Sequence, residues 1–154
     1  VTILRLTKTL GQSIPMFDGW ARALIARQNI HPYSDLTMAP IPLSHALEVL
    51  DRVVVDPLDG ILQASGNQDV TYAEAASCCA TVLEADPDLV RPITVSQETK
   101  FTEPVPCYTT LDTRRLESVY GLKAPDVWNT IREYFEHLHK SAKSGSSGPF
   151  AIKR

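Results

Sequence analysis

The first six residues, Val1 to Leu6, form an apolar run that predicts a β-strand. The run continues through Lys8-Thr9-Leu10-Gly11 and is typical of an interior strand of a parallel sheet, because such strands are buried on both faces. Natural domains rarely leave a strand edge unpaired, since its free N–H and C=O groups invite aggregation. We therefore expect this chain to be the C-terminal portion of a larger α/β protein.

Composition restricts the class of protein. A chain of 154 residues is long enough for one domain, and its 44% hydrophobic and 21% charged residues are ordinary for a globular protein. The net charge is −3 and the basic residues are scattered, so nucleic acid is not an expected partner. No apolar stretch approaches the roughly 20 residues that span a bilayer, so we expect no membrane partner.

The cysteines and histidines indicate no disulfide and no metal site. The chain has three cysteines, and two of them, Cys78 and Cys79, are adjacent, a spacing that fits disulfide geometry poorly. Reduced thiols in a cytoplasmic protein explain them more simply. The four histidines show no metal-ligand spacing.

Five helices are predicted from apolar spacing and end signals. The first follows Pro15 to about Arg27, and the second carries Leu43, Ala46, Leu47, Leu50 and Val54. The third opens with a Thr71-x-x-Glu74 capping box and places Cys79 in the core, with Cys78 off that face. Asp112 and Gly121 bound the fourth helix, and the fifth runs from Pro125 to Leu138.

The remaining segments are short strands and loops. Residues 61–65 predict a short strand, whereas Pro40 and Pro42 predict a loop over residues 37–42. Residues 97–106 predict a long polar loop. The sequence thus predicts an α/β unit over residues 1–138 and a flexible Ser- and Gly-rich tail over residues 139–154.

Four segments, taken in order, resemble the C-terminal half of extended short-chain dehydrogenase/reductases, and within them the dTDP-4-dehydrorhamnose reductase-like sugar-nucleotide-binding proteins. Residues 3–11 look like the R-x-x-N-x-x-G strand of that family, and residues 34–40 look like its D-Q-x-x-x-P loop. Residues 60–66 with 70–76 look like its "G-i-y-h-l-s-G, then s-w-y-e-f-A" strand and helix. Residues 110–116 resemble its closing L-D-t-x-k-L element.

This resemblance implies the last strand or strands of a Rossmann-like NAD(P)-binding fold, followed by a small mixed α/β substrate-binding lobe. It implies that the full protein uses NAD(P) and binds a nucleotide-sugar or another small nucleotide. A homo-oligomer is compatible with it. The family's Y-x-x-x-K pair and glycine-rich turn are absent from the sequence, so we expect this chain alone neither to bind the cofactor nor to transfer hydride.

Two departures from the family bear on the substrate. The family strand usually has Asn where this chain has Lys8, at a position that the resemblance places near the nucleotide-sugar. The family's Arg-Pro pair before the closing element is replaced by Glu103-Pro104-Val105-Pro106, which lacks the Arg.

Four residues are candidates for substrate binding, each with a structural alternative. Lys8 follows a parallel strand at the sheet edge where α/β folds bind ligands, and its ammonium can meet a phosphate or simply be solvated. Trp20 can stack on a base, although its helical spacing favours the core. Asp35 can bind a sugar hydroxyl or serve as a turn residue. Lys100 can close over a pyrophosphate or be a solvated loop residue.

Two functions remain open. The first is the nucleotide-sugar-binding part of an NAD(P)-dependent sugar-nucleotide reductase or epimerase. Such a part would raise the reaction rate by positioning the substrate. The alternative is a non-catalytic regulatory subunit of the same fold, similar to the methionine adenosyltransferase β subunit.

Overall fold

The computed structural model describes residues 1–95 and 106–143. Six strands are present in this part of the chain: β1 (Thr2–Leu6), β2 (Thr9–Leu10), β3 (Thr37–Met38), β4 (Ile41–Pro42), β5 (Gly60–Ala64) and β6 (Val70–Thr71). The helices are α1 (Pro15–Ile25), α2 (Leu43–Val55), α3 (Tyr72–Val82), α4 (Arg114–Tyr120) and α5 (Val127–Lys143), with a 3-10 turn at Pro87–Leu89. The predicted α/β class is confirmed.

The opening strand belongs to a parallel pair, as its apolar run predicts. Strand β1 pairs with β5 in the register Thr2↔Gly60 through Leu6↔Ala64. Leu62 and Ala64 of β5 are fully buried, whereas Ile3 and Arg5 of β1 are exposed. One face of this pair is therefore covered by the rest of the chain and the other is open.

The prediction of a loop over residues 37–42 is wrong in part. Thr37–Met38 pairs antiparallel with Val70–Thr71, and Ile41–Pro42 pairs parallel with Thr9–Leu10. Each strand has only two residues, so the two prolines remove few donors. In β4, the backbone N–H of Ile41 remains as a donor, and it bonds to the carbonyl of Lys8 at 2.9 Å.

The larger core lies between α1, α3 and α5. Phe17 is fully buried and stacks on Trp20 with ring centroids 5.1 Å apart. Cys79 is fully buried in this cluster, whereas Cys78 is half-buried, as the helical spacing predicts. The buried carboxylate of Asp18 accepts hydrogen bonds from the hydroxyls of Ser13 and Tyr134, both at 2.6 Å.

The second core cluster lies under α2 and contains its buried residues Ala46 and Val49 together with Leu116 of α4. Leu47 and Val54, which share the predicted apolar pattern of α2, are 56% and 78% exposed. Periodicity correctly predicts the helix, but the chain covers only part of its apolar face.

The final helix continues beyond its predicted end. Helix α5 runs through His139 to Lys143, because the amphipathic pattern that buries Leu138 is followed by helix-compatible residues. Residues 139–143, which were predicted as part of the tail, are therefore helical, and residues 144–154 lie outside the described part. In residues 1–95 and 106–143, no helix combines the length and the apolar character that crossing a membrane requires.

Candidate functional site

A cleft of about 430 Å³ opens at the carboxyl end of β1. This is the sheet edge at which open α/β folds bind ligands, and the volume falls in the range of about 300–1,000 Å³ typical of small-molecule sites. The cleft is lined by Leu6, Thr7, Lys8, Thr37, Met38, Ala39, Tyr72, Pro106 and residues 108–111. Four separate segments of the chain therefore converge on it.

The backbone at the end of β1 is held by hydrogen bonds to the end of β5 and to the lining residue Ala39. Thr7 donates its N–H to the carbonyl of Ala64 at 3.0 Å and its hydroxyl to the carbonyl of Ala39 at 2.5 Å. Gly66 donates its N–H to the same Ala39 carbonyl at 3.1 Å. The segment that presents Lys8 is thus fixed on both sides.

Lys8 supplies a positive charge to the cleft. Its Nζ lies 3.4 Å from the hydroxyl oxygen of Tyr72, and 5.3 and 5.8 Å from the ring centroids of Tyr72 and Phe17. Both ring distances fall within the roughly 6 Å reach of a cation–π contact. Among the described residues, no carboxylate lies within 4.0 Å of this ammonium. Within residues 1–95 and 106–143, no acidic side chain therefore forms an ion pair with this charge.

Asp69 fixes the cleft-lining residues Thr109 and Thr110 by hydrogen bonds. Its Oδ1 accepts hydrogen bonds from the N–H and hydroxyl of Thr109, at 2.8 and 2.6 Å, and from the N–H of Thr110 at 3.0 Å. Burial raises the pKa of Asp69, but these hydrogen bonds outweigh burial and leave the pKa below its ordinary value. The ionised carboxylate therefore fixes residues 109 and 110 across a large sequence separation.

The described residues that line the cleft combine the ammonium of Lys8 with several hydroxyls. Thr7, Thr37 and Thr109 donate their hydroxyl protons to protein oxygens and keep lone pairs as acceptors. Tyr108 lies at the rim with 83% of its surface exposed. Such a set can bind an anionic, hydroxyl-rich molecule, with an aromatic ring available at the edge.

Lys8 is the one predicted substrate residue that lines this cleft in the described part of the chain. Trp20 is 9% exposed, lies in the core, and meets the ring of Tyr72 edge-on at 6.4 Å. Asp35 accepts the N–H of Val95 with both carboxylate oxygens, at 2.9 and 3.1 Å. Lys100 falls outside the described residues.

Sequence reasoning missed Tyr72, Asp69 and the pair Thr109–Thr110. The signal for Tyr72 was available, because the Thr71-x-x-Glu74 capping box makes it the first residue of α3, beside β6. Asp69 and Thr109 are 40 positions apart, and nothing in the residue pattern connects them.

Two features typical of metal and dinucleotide sites are absent from the described residues. No group of three or more His, Cys, Asp or Glu residues converges within residues 1–95 and 106–143. In the same part of the chain, no strand leads into a helix through the glycine-rich turn that holds a pyrophosphate.

Comparison with known proteins identifies the fold. No protein-family model and no curated protein sequence matches the chain. Among solved structures, dTDP-4-dehydrorhamnose reductase from Clostridium acetobutylicum matches 89% of this chain with a TM-score of 0.75 at 16% identity. dTDP-glucose 4,6-dehydratase from Bacillus anthracis, in complex with NAD, matches 92% with a TM-score of 0.74 at 11% identity.

A third similar structure is the enzyme WbmG from Bordetella bronchiseptica in complex with NAD and UDP, which matches 94% of this chain with a TM-score of 0.72 at 21% identity. This chain spans 48% of the reductase, 45% of the dehydratase and 44% of WbmG. At identities this low, the likeness shows a shared fold alone. The chain therefore has the partial Rossmann-like α/β fold of slightly less than half of a sugar-nucleotide reductase or dehydratase.

Proposed function

We propose that the cleft at Lys8 binds a nucleoside-diphosphate sugar and that this chain acts as the substrate-binding part of an NAD(P)-dependent sugar-nucleotide reductase or epimerase. The observation that carries the proposal is the ammonium of Lys8, which lies in a cleft at the carboxyl end of a parallel strand with no carboxylate partner among the described residues. The shared fold supports it, since one similar structure contains UDP.

The chemistry of the cleft suits the parts of such a ligand. A diphosphate carries the negative charge that Lys8 can meet. Sugar and ribose hydroxyls can donate to the threonine oxygens, and the exposed ring of Tyr108 offers a face on which a base can stack. The residues of this chain thus bind and orient the substrate, and orientation is a large part of catalysis.

The reaction itself requires groups from outside the described part of the chain. None of the five tyrosines has Lys four positions later, so the sequence contains no Tyr–Lys acid–base pair of that spacing. NAD(P), when bound to the full protein, would accept or donate hydride. The present residues position the sugar for that step.

The proposal is tested by following backbone amide signals of the isotope-labelled chain in an NMR titration with UDP-glucose. We expect the largest shifts at Thr7, Tyr72, Thr109 and Thr110, which line the cleft. Thr130 and His137, which line a separate cleft of about 240 Å³, should not move. Shifts confined to that second cleft, or no shifts at millimolar ligand, would contradict the proposal.

A further inference from the structure

Tyr72 and Lys8 form a pair of polar side chains inside the cleft. Both residues line it, and the ammonium of Lys8 donates a hydrogen bond to the hydroxyl oxygen of Tyr72 at 3.4 Å. An ammonium has three donors and no acceptor, so the hydroxyl of Tyr72 accepts in this contact and directs its own proton elsewhere. The contact therefore leaves the Tyr72 proton available to another acceptor.

In the part of the chain that the structure describes, no protein group takes up this proton. The hydroxyl of Tyr72 has one hydrogen bond to these residues, and in that bond it is the acceptor. Thr7, Thr37 and Thr109, in contrast, donate their hydroxyl protons to protein oxygens. Tyr72 can therefore donate to a ligand without breaking a hydrogen bond to these residues, whereas those three threonines cannot.

The pair is held in place by neighbouring residues. Tyr72 is the first residue of α3, and its N–H donates to the carbonyl of Leu36 at 3.0 Å. Its ring meets Trp20 edge-on, and Trp20 stacks on the fully buried ring of Phe17. The ammonium of Lys8 lies 5.3 Å from the ring centroid of Tyr72 and 5.8 Å from that of Phe17. Groups that are already in position lose less entropy when a ligand binds.

The spacing of the two donors suits a single anionic oxygen. The 3.4 Å between Nζ of Lys8 and the hydroxyl oxygen of Tyr72 allows one ligand oxygen to lie near both, at the ordinary hydrogen-bond distance of about 2.8 Å from each. A phosphate oxygen is negatively charged, and hydrogen bonds to a charged group are the stronger ones. A neutral sugar hydroxyl would gain less from the same two donors.

We propose that Tyr72 is a ligand-binding residue that donates its hydroxyl proton to the phosphate oxygen bound by Lys8, and that Lys8 orients this proton. The inference rests on the proposed function and specifies which part of the nucleotide-sugar the pair binds, namely the diphosphate. The pair thus makes the cleft selective for phosphorylated nucleosides over free nucleosides and free sugars.

The test measures dissociation constants for UDP, UDP-glucose and uridine in NMR titrations of the wild-type chain, Tyr72→Phe, Lys8→Met and the double variant. Tyr72→Phe keeps the ring, and we expect it to weaken binding of UDP and UDP-glucose equally, by about tenfold or more, without affecting uridine. In the Lys8→Met chain, the same change should weaken UDP binding by less than about threefold, because the hydroxyl has lost the group that orients it. The control Tyr120→Phe removes a hydroxyl that bonds to the carbonyl of Asp56, and it should bind like the wild type.

The other outcomes count against the inference, and they separate it from the proposed function. Unchanged UDP affinity in Tyr72→Phe, with Lys8→Met still weakened, would overturn the role of Tyr72 and leave the proposed function intact. A loss confined to UDP-glucose would assign Tyr72 to the sugar, and a loss that includes uridine would indicate a distorted cleft. Equal losses with and without Lys8 would show that the ammonium does not orient the hydroxyl. A wild-type chain that binds neither UDP nor UDP-glucose would contradict both proposals.

Discussion

The ammonium of Lys8 contacts the rings of Phe17 and Tyr72 and the Tyr72 hydroxyl, and no carboxylate of residues 1–95 and 106–143 lies within 4.0 Å of it. A carboxylate partner would neutralise the charge and compete with an anionic ligand, whereas aromatic contacts leave it available. Lys8, which stands where the resembling family has Asn, thus adds a charge to the cleft that forms no ion pair with the described residues.

Gly66 packs closely against Val127 and the backbone of Pro40, with no room for a side chain. A Cβ built on it would lie 2.3 Å from Cγ2 of Val127 and 2.7 Å from the carbonyl oxygen of Pro40. We expect Gly66→Ala to lower the free energy of unfolding by about 1–3 kcal/mol, the usual cost of overpacking. Gly19→Ala is the control, since nothing lies within 4 Å of its Cβ and helix α1 should gain up to about 1 kcal/mol. Equal effects in urea titrations would contradict this account of Gly66.

Asp69 makes the stability of the cleft wall depend on pH. Its folded pKa lies below the ordinary value of 3.8, so its contribution is complete above that value and is lost as the pH falls through the folded pKa. We expect Asp69→Asn to melt at a lower temperature than the wild type at pH 6, and the gap to narrow below pH 4. Melting curves of both proteins from pH 6 to 3 provide the measurement, and a gap that stays constant would contradict the role assigned to Asp69.

At the scale of elements, helix α3 is the one that the sequence predicts most completely. Thr71 and Glu74 form the predicted capping box, in which each side chain bonds the other residue's N–H. The 3.6-residue period then places Cys79 inside and Cys78 at the margin. Local signals suffice here because both the cap and the buried face lie within one segment.

The two cysteines of α3 allow a matched test. Cys79→Asp would bury an unpaired carboxylate, so we expect it to destabilise the chain by several kcal/mol. Cys78→Asp should cost far less, because that side chain is half-buried. Thermal melts of the two variants measure the difference, and equal losses would show that the faces of α3 are assigned wrongly.

Helix α2 and residues 37–42 have features that local sequence signals do not predict. The period of α2 identifies apolar positions, but which of Ala46 and Leu47 is covered depends on what else packs there. The prolines of residues 37–42 exclude a long strand, yet the two-residue strands β3 and β4 depend on partners far along the chain. Contacts with distant segments of the chain decide both which apolar residues of α2 are buried and whether residues 37–42 form strands.

At the scale of the whole molecule, the parallel strand pair and the cleft at its carboxyl end both fit the partial Rossmann-like fold. The order of motifs predicted the α/β class, and the solved structures share that fold. The site was predicted in part: Lys8 follows from its position after a strand, whereas Asp69 and Thr109 meet only in the folded chain. Binding of a nucleotide-sugar at Lys8 is the claim on which the functional account depends.

The most direct test compares dissociation constants for UDP-glucose in the wild type, Lys8→Met and Lys140→Met by NMR titration. If Lys8 meets the diphosphate, Lys8→Met should weaken binding by about 1.5–3 kcal/mol, and the loss should shrink as salt rises. Lys140→Met, on α5 away from the cleft, should bind like the wild type, and uridine should bind all three proteins equally. An unchanged affinity for UDP-glucose in Lys8→Met would contradict the account and favour a regulatory subunit of the same fold.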